Sequence, residues 1–324
     1  MVLKEVGQPL YLTKIPIPKP DQDQVLIRVL ACGICRTDLH VIDGELPFPK
    51  LPLIPGHQVI GKIEKIGKQV KNMRIGQRVG LPWLGGSCGQ CDYCSSGKEN
   101  LCSQAIYTGY QINGGFADYC LAKADFLFPI PEPYSDLQAA PLLCAGLIGY
   151  RALQMVGNAK TIGFYGFGVS AHILIQIIRY QGNEVYAFTK TGDLQNQEFA
   201  KSFGASWAGS SDDHPPVLLN AAIIFAPTGA LIPKALAVVK KGGVVVCAGI
   251  HMSNIPSFPY HLLWNERTLR SVANLTRKDG EDFLSLAPKI PIKTTVQPYP
   301  LEKVNEAIED LRTGRLSGAA VIQM

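Results

Sequence analysis

Four cysteines, Cys88, Cys91, Cys94 and Cys102, fall in the run GSCGQCDYCSSGKENLC with the spacing C-x2-C-x2-C-x7-C. Gaps of two residues let neighbouring thiolates turn onto one ion, and the longer gap brings the loop back to close a tetrahedron. Zinc held by four thiolates is the usual closed structural site. Gly86, Gly89 and Gly97 permit the tight turns, while Asp92, Lys98 and Glu99 are expected to keep the loop in water. A thioredoxin-like redox pair would need a strand–CxxC–helix context, which CGQCDYCSSG does not offer. A four-cysteine iron–sulfur centre matches the ligand count too, but the spacing favours zinc. Four bound thiolates leave the ion no open position, so this cage supports structure rather than catalysis.

Three further donors are scattered along the chain: Cys35 in ACGICRTDLH, His57 in PGHQVIG and Cys144 in PLLCAGLIGYRAL. Together they would make a Cys2His set, which leaves one zinc position open to an alcohol or carbonyl oxygen. Singly, each has a plain reading as a buried thiol or a hydrogen-bonded imidazole. Spacing alone does not join them.

The run TIGFYGFGVSAHILIQIIRYQGNEVYAFT reads as strand, turn, helix and strand. Helical spacing appears at Ala171, Leu174, Ile175 and Ile178, and Gly182 ends that element. Gly166, Gly168 and Ala171 form G-x-G-x-x-A between strand and helix, the setting that makes this dinucleotide fingerprint specific. Gly166 permits the turn, Gly168 lets backbone approach a pyrophosphate, and Ala171 allows close helix packing. NAD-specific folds place an acid at the end of the second strand, about 20 residues on. Here that place holds Thr189 and Lys190, with no acid before Asp193. The missing carboxylate and the lysine favour NADP over NAD, though Lys190 reads equally as a solvated surface lysine.

The elements that must carry these groups are of two kinds. Up to about residue 145 the chain alternates short strands with Gly and Pro, as in QVLIRVL and VIGKIEKIG, which indicates an irregular β-barrel-like domain. From about 146 to 270, TIGFY, EVYAF, NAAIIF and GGVVVCAG are apolar runs of the buried parallel kind. Between SWAGSS and NAAIIF, the prolines of DDHPPVLL leave no room for a crossover helix. Near the end, Val304, Ala307, Ile308 and Leu311 keep helical spacing before a glycine and a last strand. The 324 residues suffice for two domains, and 47% hydrophobic with 18% charged residues is an ordinary globular balance. The net charge of +5 is not gathered into a basic run, so nucleic acid is not indicated. No segment approaches the roughly 18 apolar residues of a membrane helix. The start, MVLKEVGQPLYL, lacks the apolar core of a secretory signal. A cytoplasmic protein is expected, its nine cysteines present as thiols.

CGICRTDLHVIDGELPFPKLPLIPGHQVIGKIEKIG, the four-cysteine loop, LLCAGLIGYRAL and the glycine turn occur in the order seen in zinc-dependent medium-chain alcohol dehydrogenases. The chain resembles that family over essentially its whole length. The resemblance implies an α/β protein: a GroES-like irregular β-barrel catalytic domain over 1–145, completed by 271–324, and a Rossmann doubly wound parallel-sheet cofactor domain over 146–270. The active site is then expected in the cleft between them. It implies two zinc ions per chain, a catalytic one on Cys35, His57 and Cys144 and a structural one on Cys88, Cys91, Cys94 and Cys102. Thr37 is similar to the hydroxyl that meets the substrate alcohol, and His40 to the far end of a proton relay through the cofactor ribose. Asp38 resembles the carboxylate that holds the zinc-binding histidine, and Arg36 a residue that meets the cofactor pyrophosphate. Trp83 resembles a wall of the substrate pocket, with an ordinary core tryptophan as its plain reading. One departure stands out: Gln58 follows the zinc histidine where the family usually has glutamate.

The activity implied is hydride transfer between NAD(P) and a primary or secondary alcohol or aldehyde, in a homo-dimer or homo-tetramer. A polyol or sugar-alcohol dehydrogenase on the same scaffold is the alternative within enzymes. A catalytically silent dinucleotide-binding zinc protein is the alternative outside them. His172, at a helix start, is expected to meet backbone; His214, His251 and His261 show no partner pattern. Cys32, Cys120 and Cys247 read as buried small apolar side chains.

Overall fold

The computed structural model describes residues 1–290, 292–316 and 318–324. The chain divides into two units, one joining Met1–Ala145 to Leu275–Lys289 and Lys293–Met324, the other comprising Gly146–Asn274 with Ile290 and Ile292. The first unit begins with β1 (Gln24–Ile34), α1 (Arg36–Ile42), β2 (Gln58–Ile66), β3 (Arg78–Leu81) and β4 (Leu84–Gly86). It continues with the single turn α2 (Asp92–Ser95), β5 (Ile106–Tyr107), β6 (Tyr119–Lys123), β7 (Phe128–Pro129) and α3 (Asp136–Ala139). Then come α4 (Ala145–Met155), β8 (Thr161–Tyr165), α5 (Val169–Tyr180), β9 (Glu184–Thr189), α6 (Leu194–Ser202) and β10 (Trp207–Ser210). The second unit closes with β11 (Leu219–Ile224), α7 (Leu231–Val238), β12 (Val239–Cys247) and β13 (Thr268–Ser271). Finally α8 (Arg277–Leu286), β14 (Val296–Pro300), α9 (Val304–Thr313) and β15 (Ala319–Gln323) return to the first unit.

β1 organises the first unit because nearly every position of QVLIRVLACGI is apolar and buried. It pairs with β2 along its length, with β6 over Gln24–Arg28 and with β15 over Ala31–Ile34. Register shifts at Leu26/Ile27 and Val29/Ala31 let the strand bend, so that one strand serves three neighbours. The order is β14-β15-β1-β2-β3-β7, antiparallel except for β14 and β15. Val25, Ile27 and Val29 pack in one core with Leu53, Val59 and Val79, and with Val304, Ala307 and Ile308 of α9. The helical spacing near the C-terminus thus fills the barrel-like unit, and Gly314 ends α9 in the left-handed region.

All strands of the second unit are parallel, in the order β10-β9-β8-β11-β12-β13. That is the doubly wound order 3-2-1-4-5-6 of a Rossmann sheet. Ala171, Leu174, Ile175 and Ile178 of α5 are wholly buried, as their spacing requires. No helix joins β10 to β11. The unit runs to Asn274 rather than to 270, and Leu275 begins the return. β13, TLRS, is a mostly exposed edge strand whose polar residues carry no buried-strand signal, yet it pairs with Val244–Cys247. No helix among the described residues is long and apolar enough to cross a membrane.

Candidate active site

Cys35 caps α1. Its backbone is extended, and its sulfur accepts from Thr37 N–H at 3.4 Å. Asp38 completes a capping box by accepting Cys35 N–H on Oδ2 at 2.8 Å. The other carboxylate oxygen, Oδ1, lies 3.1 Å from Nδ1 of His57. One buried carboxylate therefore fixes both the helix start and the imidazole, leaving Nε2 of His57 3.2 Å from Cys35 Sγ. Cys144, just before α4, brings its sulfur within 3.7 Å of Cys35 Sγ. The three donor atoms lie within 4.8 Å of one another, and among the described residues no fourth His, Cys, Asp or Glu joins them.

These distances suit a metal. Two sulfurs each about 2.3 Å from zinc at the tetrahedral angle stand about 3.8 Å apart. The electrostatics agree. The Cys144 thiol bonded to Cys35 holds the Cys35 thiol well below its usual range, against burial, while Cys144 itself is pushed well up. Burial works to lower the His57 pKa, yet the charges of Asp38 and Cys35 outweigh it and push it to about 10. A buried cluster that grips a proton so firmly demands positive charge, and a metal supplies it by displacing protons.

The second cluster is closed. Cys88, Cys91, Cys94 and Cys102 form a four-sulfur group within 4.8 Å, with Cys94 at 3.9 Å from Cys88 and 3.6 Å from Cys91. Backbone N–H groups of Gln90 and Cys91 draw the Cys88 thiol down to about 6. Leu84, Cys102, Ala105 and Phe126 make a small apolar core under the loop. Asp92 and Lys98 are exposed as expected, but Glu99 is not. It is buried, and its Oε1 accepts Arg277 N–H at 2.7 Å, in the first turn of α8. A carboxylate at a helix N-terminus is stabilised by the unpaired amides there. The partner stands 178 residues away, so no local signal gives the contact.

Thr37 and His40 sit one turn apart on α1, on neighbouring positions of one face, both partly buried; Arg36 is exposed beside them. Trp83 stands edge to face with His57, ring centroids 4.9 Å apart. Its indole stacks with Tyr107 at 5.2 Å and Tyr110 at 5.7 Å. The two tyrosines stand at i and i+3 in IYTGY, a local spacing that points to no ligand. Gln58 opens β2 opposite Gly33, where a Cβ would stand 2.8 Å from its amide; among the described residues its buried Nε2 has no partner.

In the second unit, Gly166 turns β8 into α5 with φ +93, a backbone that L side chains rarely adopt. Gly168 caps α5 with no side-chain bond to the first amides, and a Cβ on it would meet nothing within 4 Å. Open space over free helix N–H groups is a phosphate cradle, so a dinucleotide fits the residues present. Ala171 is buried. Thr189 ends β9 with its hydroxyl turned inward, donating to Gly209 O at 3.4 Å and accepting from Gln197 Nε2 at 3.1 Å. Lys190, the next residue, is exposed. The His172 imidazole lies against the backbone of Gly168, one turn back, and packs beside the rings of Phe199 and Phe203, 5.8 and 5.5 Å away. His214, His251 and His261 are exposed, and Cys32, Cys120 and Cys247 are buried.

One chain thus combines a doubly wound dinucleotide fold with an open Cys2His set, the equipment of a metal-dependent nicotinamide oxidoreductase. The description "Alcohol dehydrogenase GroES-like domain" matches residues 21–132. "Probable alcohol dehydrogenase AdhA" of Mycobacterium tuberculosis (strain CDC 1551 / Oshkosh) is 42% identical over 322 residues, covering 97% of this chain and 92% of its own. An alcohol dehydrogenase of Geobacillus stearothermophilus is 35% identical over 334 residues, covering 100% and 98%. The solved structure of a cinnamyl alcohol dehydrogenase of Sorghum bicolor superposes with a TM-score of 0.90 at 26% identity, covering 99% of this chain and 96% of that one. The chain belongs to the zinc-dependent medium-chain alcohol dehydrogenase family.

Proposed function

We propose that this protein interconverts primary or secondary alcohols with their carbonyl compounds, using zinc at Cys35, His57 and Cys144 and a nicotinamide cofactor on the Gly166–Ala171 turn. The observation that carries the reading is the single carboxylate of Asp38, which bonds Cys35 N–H and His57 Nδ1 at once beside Cys144. When bound there, zinc supplies Lewis-acid polarisation of the substrate oxygen, while the nicotinamide supplies or takes the hydride.

The remaining steps belong to the chain's own groups. Asp38 keeps the proton of His57 on Nδ1 and so offers Nε2 as the ligand atom. Cys35 and Cys144 contribute the negative charge that a divalent ion needs. Thr37 hydrogen-bonds the substrate hydroxyl and takes part in removing its proton, and His40, one turn on, exchanges that proton with solvent. Trp83, held flat by Tyr107 and Tyr110, gives the metal set an apolar neighbour, which favours simple alcohols over polyols. Cys88, Cys91, Cys94 and Cys102 hold a second, structural zinc. Arg36 meets the cofactor pyrophosphate. Lys190 and the lack of an acid at the end of β9 favour NADP, with Lys190 rather than the engaged Thr189 hydroxyl meeting its phosphate. The protein is placed in the cytoplasm, and its assembly as a homo-dimer or homo-tetramer follows the family resemblance. Gln58 is the one residue that favours a silent, dinucleotide-binding zinc protein.

Fully zinc-loaded protein is mixed with NADPH or NADH and a panel of aldehydes, ketones and polyols while nicotinamide absorbance is followed. Elemental analysis should return two zinc per chain, and NADPH should be oxidised with simple aldehydes at the higher specificity constant. Silence across the panel with both sites filled would establish the non-catalytic reading.

A further inference from the structure

α1 ends at Ile42, where Asp43 N–H donates to Leu39 O at 2.8 Å. Gly44 then adopts φ +76 and turns the chain back. Glu45 N–H donates to His40 O at 2.9 Å, and Leu46 N–H reaches the same carbonyl at 3.3 Å. The reversal sets the Glu45 side chain beside the imidazole it follows by five residues, with Oε2 in contact with His40 Nδ1. Arg312 of α9, a cation that feels the charge of Glu45, is already engaged: it grips both oxygens of Asp43 at 2.6 and 2.8 Å and lies 3.4 Å from Glu309. The carboxylate of Glu45 is therefore directed to the imidazole.

We propose that Glu45 is the positioning residue for His40: its carboxylate accepts the Nδ1 proton, fixes the tautomer and assigns proton exchange to Nε2. The proposal rests on the dehydrogenase reading, in which His40 passes a proton between the substrate side and water. Only N–H and O–H bonds change. A proton arriving on Nε2 makes an imidazolium whose charge Glu45 faces, and its loss to water restores the Nδ1–H form. A carboxylate that orders an imidazole fixes both its ring plane and its tautomer, and the charged bond strengthens as the ring is protonated.

The test compares Glu45→Ala, Glu45→Gln, Glu45→Asp and His40→Ala in the zinc-loaded holoenzyme. Nitrogen-15 correlation spectra of the histidine rings, with His40 assigned by its loss in His40→Ala, report the tautomer independently of turnover. The expected result is a single Nδ1–H tautomer in the native protein and a mixture in Glu45→Ala. Alcohol oxidation by Glu45→Ala should lose about 3- to 10-fold in kcat with KM within about 2-fold, a fraction of what a positioned acid–base group contributes. Glu45→Asp should recover part of that loss and Glu45→Gln, which keeps an acceptor, should recover the tautomer. If His40→Ala slows oxidation while Glu45→Ala matches the native protein in kcat and tautomer, the assignment of Glu45 falls and the relay stands. If His40→Ala itself oxidises alcohols at the native rate, the relay falls and takes the Glu45 assignment with it.

Discussion

Gln58 occupies a place where charge matters more than shape. It follows His57, is 2% exposed, and lies across the sheet from Gly33, whose missing side chain makes room for it. Glutamate would fit the same space but add a negative charge to a cluster that already holds Asp38 and two thiols. A buried carboxylate without a partner is costly, and a nearby cation removes most of that cost. Gln58→Glu should therefore lower the melting temperature of zinc-stripped protein by at least about 2–4 °C, the effect of about 1 kcal/mol. The zinc-loaded protein should lose less, and its turnover should change measurably. Equal losses with and without zinc, together with unchanged steady-state and pre-steady-state rates, would show that the position does not sense the metal. The two donor clusters were legible from sequence for unequal reasons. The four-cysteine loop declares itself by local spacing, whereas Cys35, His57 and Cys144 are joined only by the fold, and their resemblance to a family stood in for it.

At the scale of elements, the parallel strands were readable because both their faces are buried, so that TIGFY and EVYAFT coincide with β8 and β9. β13 was not readable, since an exposed edge places no apolar demand on its sequence. Glu45 and Glu99 escaped for another reason: a glycine reversal and a distant helix, neither of which leaves a periodic trace, supply their partners. The packing of α5 on α6 carries a consequence for acid stability. Burial among Phe199 and Phe203 depresses the His172 pKa to about 4. An unfolded chain takes up a proton at that residue near 6.5, before the folded one does. The folded state is thus favoured above about pH 6.5 and progressively penalised as pH falls towards 4, by up to about 3 kcal/mol. His172→Leu should flatten this part of the stability profile, measured by denaturant unfolding between pH 7 and 4. A parallel offset at every pH would mean that the imidazole carries no titration-linked stability.

The chain as a whole is discontinuous in its first unit, which makes metal removal a test of architecture as well as of ligation. The four-cysteine loop rests on a small core of Leu84, Cys102, Ala105 and Phe126, with Tyr107 packed against it. Burying a Leu or Phe side chain fully is worth about 1.5–3 kcal/mol, and Leu84 and Phe126 are the two core members of that size, so this core falls well short of the about 10–16 kcal/mol that a structural zinc contributes in small domains. Stripping that zinc should open the loop and release Glu99 from the first turn of α8, where Thr276 and Asp279 form the capping box. Hydrogen exchange on the full chain, with and without a chelator, should then show faster exchange over residues 86–105 and again over 276–280, although well over a hundred residues separate the two stretches. Strands β8, β9 and β11, all in the second unit, should keep their protection, and NADPH should raise protection at 166–172 whether or not zinc is present. Uniform loss of protection across both units would contradict two independently stabilised cores, and an unchanged α8 would contradict the link through Glu99.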